Sequence, residues 1–149
     1  MTKSNHNLKL ILPAILPEVS KTIEKISCYL SEHCPTFEKI MELELSIEEV
    51  LVNIVSYAYK DHQNNQEKNP NEKIEIELTI FLDNKIIKIE IVDAGTPFNP
   101  LEKEDANITL DVDQRDIGGL GVLLVKKLAD KTIYTRNDTS NILTLEFKI

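Results

Sequence analysis

With 149 residues, 42% of them apolar, the chain is long enough to bury one core without metal or disulfide staples, and wholesale disorder is excluded. A formal net charge of −8 argues against a general nucleic-acid-binding surface and against adhesion to anionic membranes. No apolar run is long enough to span a bilayer, and MTKSNHNLKL lacks the apolar region of a signal peptide, so a single cytoplasmic domain over residues 1–149 is expected.

Residues 7–12, NLKLIL, alternate well enough for a short strand, which Pro13 and Pro17 end. Pro17 suits the first turn of a helix, where a missing N–H costs nothing. Val19, Ile23, Ile26 and Leu30 mark its buried stripe as far as about His33. Pro35 breaks that helix. A second helical pattern starts at Thr36, with Phe37, Ile40, Met41 and Leu43. It runs into SIEEVLVNIVSYAYK at 46–60, where Val50, Leu51, Ile54, Val55 and Ala58 recur at helical spacing. Cys28 and Cys34 have neither CxxC nor zinc spacing, and both are read as reduced.

Residues 61–72 carry almost no apolar side chains and read as a surface loop. KIEIELTIFL and KIIKIEIV then alternate on either side of Asp83-Asn84, the pattern of a β-hairpin with Ile74, Ile76, Leu78 and Ile80 on one face. After Val92 come DAGTPFNP at 93–100 and a polar, mostly acidic stretch. GGLG at 118–121 opens an amphipathic helix with Leu120, Leu123, Leu124 and Leu128 inward and Lys126 and Lys127 outward. KTIYTR and NILTLEFKI close the chain as two strands. This order predicts an α+β fold, a two-layer α/β sandwich whose mixed, mostly antiparallel sheet carries helices on one face.

Three segments could carry chemistry. Glu49 and Asn53 are four residues apart, one helical turn, on the flank of an apolar face. Left there without partners they would cost roughly 1–3 kcal/mol each. Asp93 stands where a strand leaves the sheet, before Ala94-Gly95. It is either a turn-forming Asp-x-Gly or an acceptor for an exocyclic amine such as that of adenine. All four glycines lie in these segments: Gly95, Gly118, Gly119 and Gly121. The last three mark a tight turn or an anion site at a helix start. They form neither a GxxxxGK[ST] loop nor a dinucleotide fingerprint.

Taken in order, Glu49-x-x-x-Asn53, Asp93-x-Gly95-x-Pro97-Phe98-Asn99-Pro100 and Gly118-Gly119-Leu120-Gly121 resemble the N, G1 and G2 boxes of the Bergerat-type (GHKL) ATPases. The Pro-Phe-Asn-Pro run and GGLGVLLVKKLAD are similar to the anti-sigma factor serine/threonine-protein kinases of that superfamily, and the likeness covers nearly the whole chain.

The resemblance implies the histidine-kinase-like ATPase fold and binding of ATP with Mg²⁺. Asn53 would hold the metal, and Glu49 would be the general base. Asp93 would bond the adenine amine beside Gly95, with Pro97 where many relatives have a second glycine. Gly118, Gly119, Leu120 and Gly121 would meet the phosphates. Residues 101–117 would form a lid, from which Arg115 contacts phosphate. The implied partners are a sigma factor and a small antagonist (STAS-type) protein that is phosphorylated on serine, often with a homodimeric kinase. The second expectation is a non-catalytic, nucleotide-dependent protein-binding module of the same fold. Tyr57 stands where several relatives carry His, and the lid segment is acidic.

Overall fold

Alternating apolar and polar residues build a five-stranded sheet from β1 (Asn7–Pro13), β2 (Glu75–Leu82), β3 (Ile86–Asp93), β4 (Lys131–Arg136) and β5 (Asn141–Lys148). In this computed structural model, which describes residues 7–58, 74–99, 101 and 117–149, the spatial order is β1-β2-β3-β5-β4. Each neighbouring pair is antiparallel. The expected two-layer α+β arrangement is the one observed, with no parallel pair among the described strands.

The hairpin turns form where short polar side chains bond the backbone. Asp83 Oδ1 accepts from the N–H groups of Lys85 and Ile86, both at 2.7 Å, and Asp83 N–H donates to the Ile86 carbonyl at 3.2 Å. The two central residues are therefore Asn84 and Lys85, one place later than the spacing predicts. Asn137 acts alike in the last hairpin, accepting from Thr139 N–H at 2.9 Å and Ser140 N–H at 2.6 Å.

Helix α1 (Leu16–His33) carries Pro17 in its first turn and buries Val19, Thr22, Ile26 and Leu30. Helix α2 (Ile40–Asn53) starts later than the Thr36 expected from sequence. Phe37 is buried ahead of the helix, and Met41 is 76% exposed. Met41 lies two residues from Leu43, roughly 200° around the helix, and so faces away from the core. After Asn53 the coil widens into a π-helical turn, Ile54–Ala58. Lys60, the expected end of the central helix, is outside the described residues.

Helix α3 (Ile117–Leu128) shows a second departure. Its deeply buried positions are Gly121 and Val125, a row continued by Ala129 just past its end, whereas Leu123, Leu124 and Leu128 are half-buried. Gly, Val and Ala at four-residue spacing let α3 lie close to α2, which sits between α1 and α3. The sheet face under these helices is apolar. Ile76, Leu78, Ile80, Ile87, Ile89, Ile91, Leu145 and Phe147 are wholly buried, each contributing about 1.5–3 kcal/mol. That layer fixes where the polar ends of β3 and β5 meet the end of α2.

Candidate functional site

Asn53, the last residue of α2, and Asp93, the last of β3, line one cleft. Val50, Ile54, Val125 and Leu143 give it apolar walls. Phe98 and Leu101 add further apolar surface, and Tyr134 and Asn141 bring polar atoms from the last hairpin. A mostly apolar cleft with a few convergent polar groups is the usual form of a small-molecule site.

Asn53 is 9% exposed, and among the described residues its carboxamide has no hydrogen-bond partner. A carboxamide on the wall of an open cleft, with its oxygen and NH₂ uncommitted, is able to meet a ligand there. Glu49 lies one turn earlier, half-buried against the start of α3. A Cβ at Gly121 would overlap its carboxylate, with the Glu49 Cδ at 3.1 Å. The absence of a side chain at 121 is what lets the Glu49 carboxylate rest there.

Asp93 is 5% exposed. Its Oδ1 accepts from Gly95 N–H at 3.0 Å and from Asn141 Nδ2 at 3.1 Å. Burial pushes its carboxyl above the ordinary carboxylate range. The Asn141 and Gly95 hydrogen bonds and the Arg136 charge oppose that rise. The Arg136 guanidinium also donates to the Gly95 carbonyl at 3.0 Å, tying the turn after β3 to β4.

Five of the residues singled out from sequence gather here. Asn53 and Asp93 line the cleft, Gly95 is buried beside Asp93, and Glu49 and Gly121 touch each other. Pro97 is exposed, and it is its neighbour Phe98 that lines the cleft. Gly118, Gly119 and Leu120 belong to the first turn of α3. Arg115 and lid residues 102–116 lie outside the described residues. Tyr57 is half-buried in the π-helical turn.

Sequence reasoning missed Asn141, Tyr134 and Arg136. The available signal was the alternation Asn141, Leu143, Leu145, Phe147, which puts Asn141 on the core face of its strand. Among the described residues no group of three or more His, Cys, Asp or Glu could hold a metal ion, and no helix is long and apolar enough to cross a membrane.

The chain is similar to several known proteins. Serine-protein kinase RsbW of Listeria monocytogenes serovar 1/2a is 26% identical over 149 residues, covering 97% of this chain and 89% of the relative. RsbW of Listeria innocua matches to the same extent. Among solved structures, the RsbU and RsbW domains of Rv1364c from Mycobacterium tuberculosis superpose with a TM-score of 0.60 at 13% identity. That match covers 95% of this chain but only 32% of the larger one. A chain of the SiaB-SiaC complex from Pseudomonas aeruginosa gives 0.54 at 13% identity, covering 95% of this chain and 89% of that one. At these identities the structures show the fold alone. Residues 12–147 match the histidine kinase-like ATPase domain. The chain belongs to that family, as the three boxes in its sequence led one to expect.

Proposed function

We propose that the cleft binds ATP with Mg²⁺ and that the chain is a serine/threonine-protein kinase acting on a small antagonist protein. The observation that carries this reading is the meeting of Asn53 and Asp93 in one cleft of a histidine kinase-like ATPase fold. Asp93 accepts from the adenine amine beside Gly95, with the Phe98 ring as apolar wall. The triphosphate runs toward the first turn of α3, where Gly118 and Gly119 offer free N–H groups to an anion while those of Leu120 and Gly121 are committed within the helix, with Arg115 of the lid as a further phosphate contact. The donor set fits the metal. Asn53 would hold Mg²⁺ through its uncommitted oxygen, the other ligands being phosphates and water, and the ion would neutralise phosphate charge.

Glu49 takes the proton from the attacking serine hydroxyl. The serine oxygen bonds the γ-phosphorus, the bridge to the β-phosphate breaks, and ADP leaves. Relatives named serine-protein kinases support this assignment. By the same likeness the chain binds a sigma factor or similar regulator in the cytoplasm, as a homodimer. The fold's occurrence in the SiaB-SiaC complex supports a protein partner. A nucleotide-dependent binding module is the second reading. It is favoured by the seating of the Glu49 carboxylate against Gly121, a helix contact and not an open approach.

The test is calorimetry with Mg-ATP, followed by labelling of an antagonist serine from γ-labelled ATP. Heat with label supports the kinase, and heat without label the binding module. No heat at saturating Mg-ATP ends both.

A further inference from the structure

Asn141 opens β5 directly across from Asp93. It is 4% exposed, and its carboxamide fills all four of its hydrogen-bonding positions. Nδ2 donates to Asp93 Oδ1 at 3.1 Å and to the Thr96 carbonyl at 2.9 Å. Oδ1 accepts from Phe98 N–H at 3.3 Å and from the Tyr134 hydroxyl at 2.5 Å. A carbonyl only accepts and a backbone N–H only donates, so the amide cannot turn over without losing both of those bonds. Gly95 N–H reaches the same Asp93 oxygen. Oδ1 is thus occupied by two N–H donors, and Oδ2 is the oxygen left for an occupant of the cleft.

We propose that Asn141 determines base specificity as a positioning residue, holding Asp93 as a pure hydrogen-bond acceptor so that Oδ2 takes a 6-amino purine and rejects a 6-keto one. The proposal rests on the nucleotide reading above and adds to it the residue that sets the choice of base. An ionised carboxylate meets an amino group donor to acceptor. Against a 6-keto oxygen it sets two acceptors face to face. A protonated Asp93 would reverse that preference, and burial drives the group in that direction. Asn141 is the strongest of the contacts that oppose it, ahead of Gly95 and Arg136. The same side chain pins Thr96 and Phe98, so the turn carrying Gly95 is tied to β5.

ATP and ITP differ only at position 6 and in the proton that the keto base carries on the adjacent N1, so calorimetry with Mg-ATP and Mg-ITP tests the proposal. Wild type is expected to prefer ATP by roughly tenfold or more. Asn141→Leu keeps the size but removes both donors, and is expected to bring the two affinities to within about threefold. Asn141→Thr keeps a hydroxyl opposite Asp93, and it retains the preference. If Asn141→Leu weakens ATP and ITP by one common factor, Asn141 only braces the loop and the proposal is overturned. Should the leucine variant not fold, Asn141→Asp takes its place: it keeps the size and removes both donors, and it overturns the proposal as well if it weakens ATP and ITP by one common factor. A wild type that binds neither nucleotide overturns the nucleotide reading itself. A wild type that binds both equally overturns only the assignment of specificity.

Discussion

Gly121 packs against Glu49 so closely that a Cβ at 121 would overlap the Glu49 carboxylate. The obstructed group is the free end of a half-buried side chain, which can swing aside at little cost. Alanine also favours a helix interior over glycine by about 0.5–1 kcal/mol. Gly121→Ala should therefore melt at the same temperature or higher while moving Glu49 off its place. Phosphotransfer should fall by on the order of 10². Unchanged transfer in a variant of raised melting temperature would mean that the position of Glu49 does not matter to the reaction.

Glu49→Gln separates the two readings of the cleft. The change removes the proton acceptor but keeps the shape, and Glu49 is not among the groups that line the nucleotide cleft. Affinity for Mg-ATP should stay within about threefold, and phosphotransfer should drop by roughly 10²–10⁴. Single-turnover transfer to the antagonist at saturating ATP measures it. A variant as fast as wild type removes Glu49 from the chemistry.

The fold was legible because its signals are local and repeated. Period-two isoleucines in β2 and β3, and the Val19, Ile26, Leu30 stripe of α1, each report one buried face. Asn53 and Asp93 stood out for another reason: they fall in segments whose order along the chain resembles the N and G1 boxes. Asn141 was not. Its role depends on pairing with a residue forty-eight positions earlier, and β3–β5 register is a property of the whole sheet. The inward face of α3 was misjudged for a related reason. Hydrophobicity favours the leucines, but where α3 crosses α2 the fit goes to Gly121, Val125 and Ala129, and closeness outweighs side-chain size.

Asn53 places function and stability in opposition. The residue is 9% exposed beside the apolar Val50 and Ile54, and its carboxamide has no hydrogen bond to another described residue. Asn53→Leu removes that unpaired group and should stabilise the protein by about 1 kcal/mol, read by urea titration. The same variant should lose the Mg²⁺-dependent part of its ATP affinity, and chelating the metal from wild type should reproduce that loss. A variant that is less stable yet binds Mg-ATP as wild type does would show that the amide serves the fold and not the nucleotide.

Asp93 makes a pH-dependent prediction whose sign is fixed by its burial. Its folded carboxyl holds a proton above the ordinary value of 3.8, so the native state binds that proton more tightly than the unfolded chain does. The group therefore supports the fold in acid and weakens it as pH rises from 3.8 through the raised value. Asp93→Asn stays neutral throughout. Its melting temperature relative to wild type should climb over that window and then level off, measured between about pH 4 and pH 8. The asparagine oxygen can still accept from Gly95 and Asn141 in the place of Oδ1, which preserves the turn. Its NH₂ then points into the cleft and faces the adenine amine donor to donor. ATP affinity should accordingly fall by about tenfold or more at every pH where wild type is ionised. A stability difference that narrows as pH rises would show that Asp93 is not the buried, proton-retaining carboxyl of this cleft.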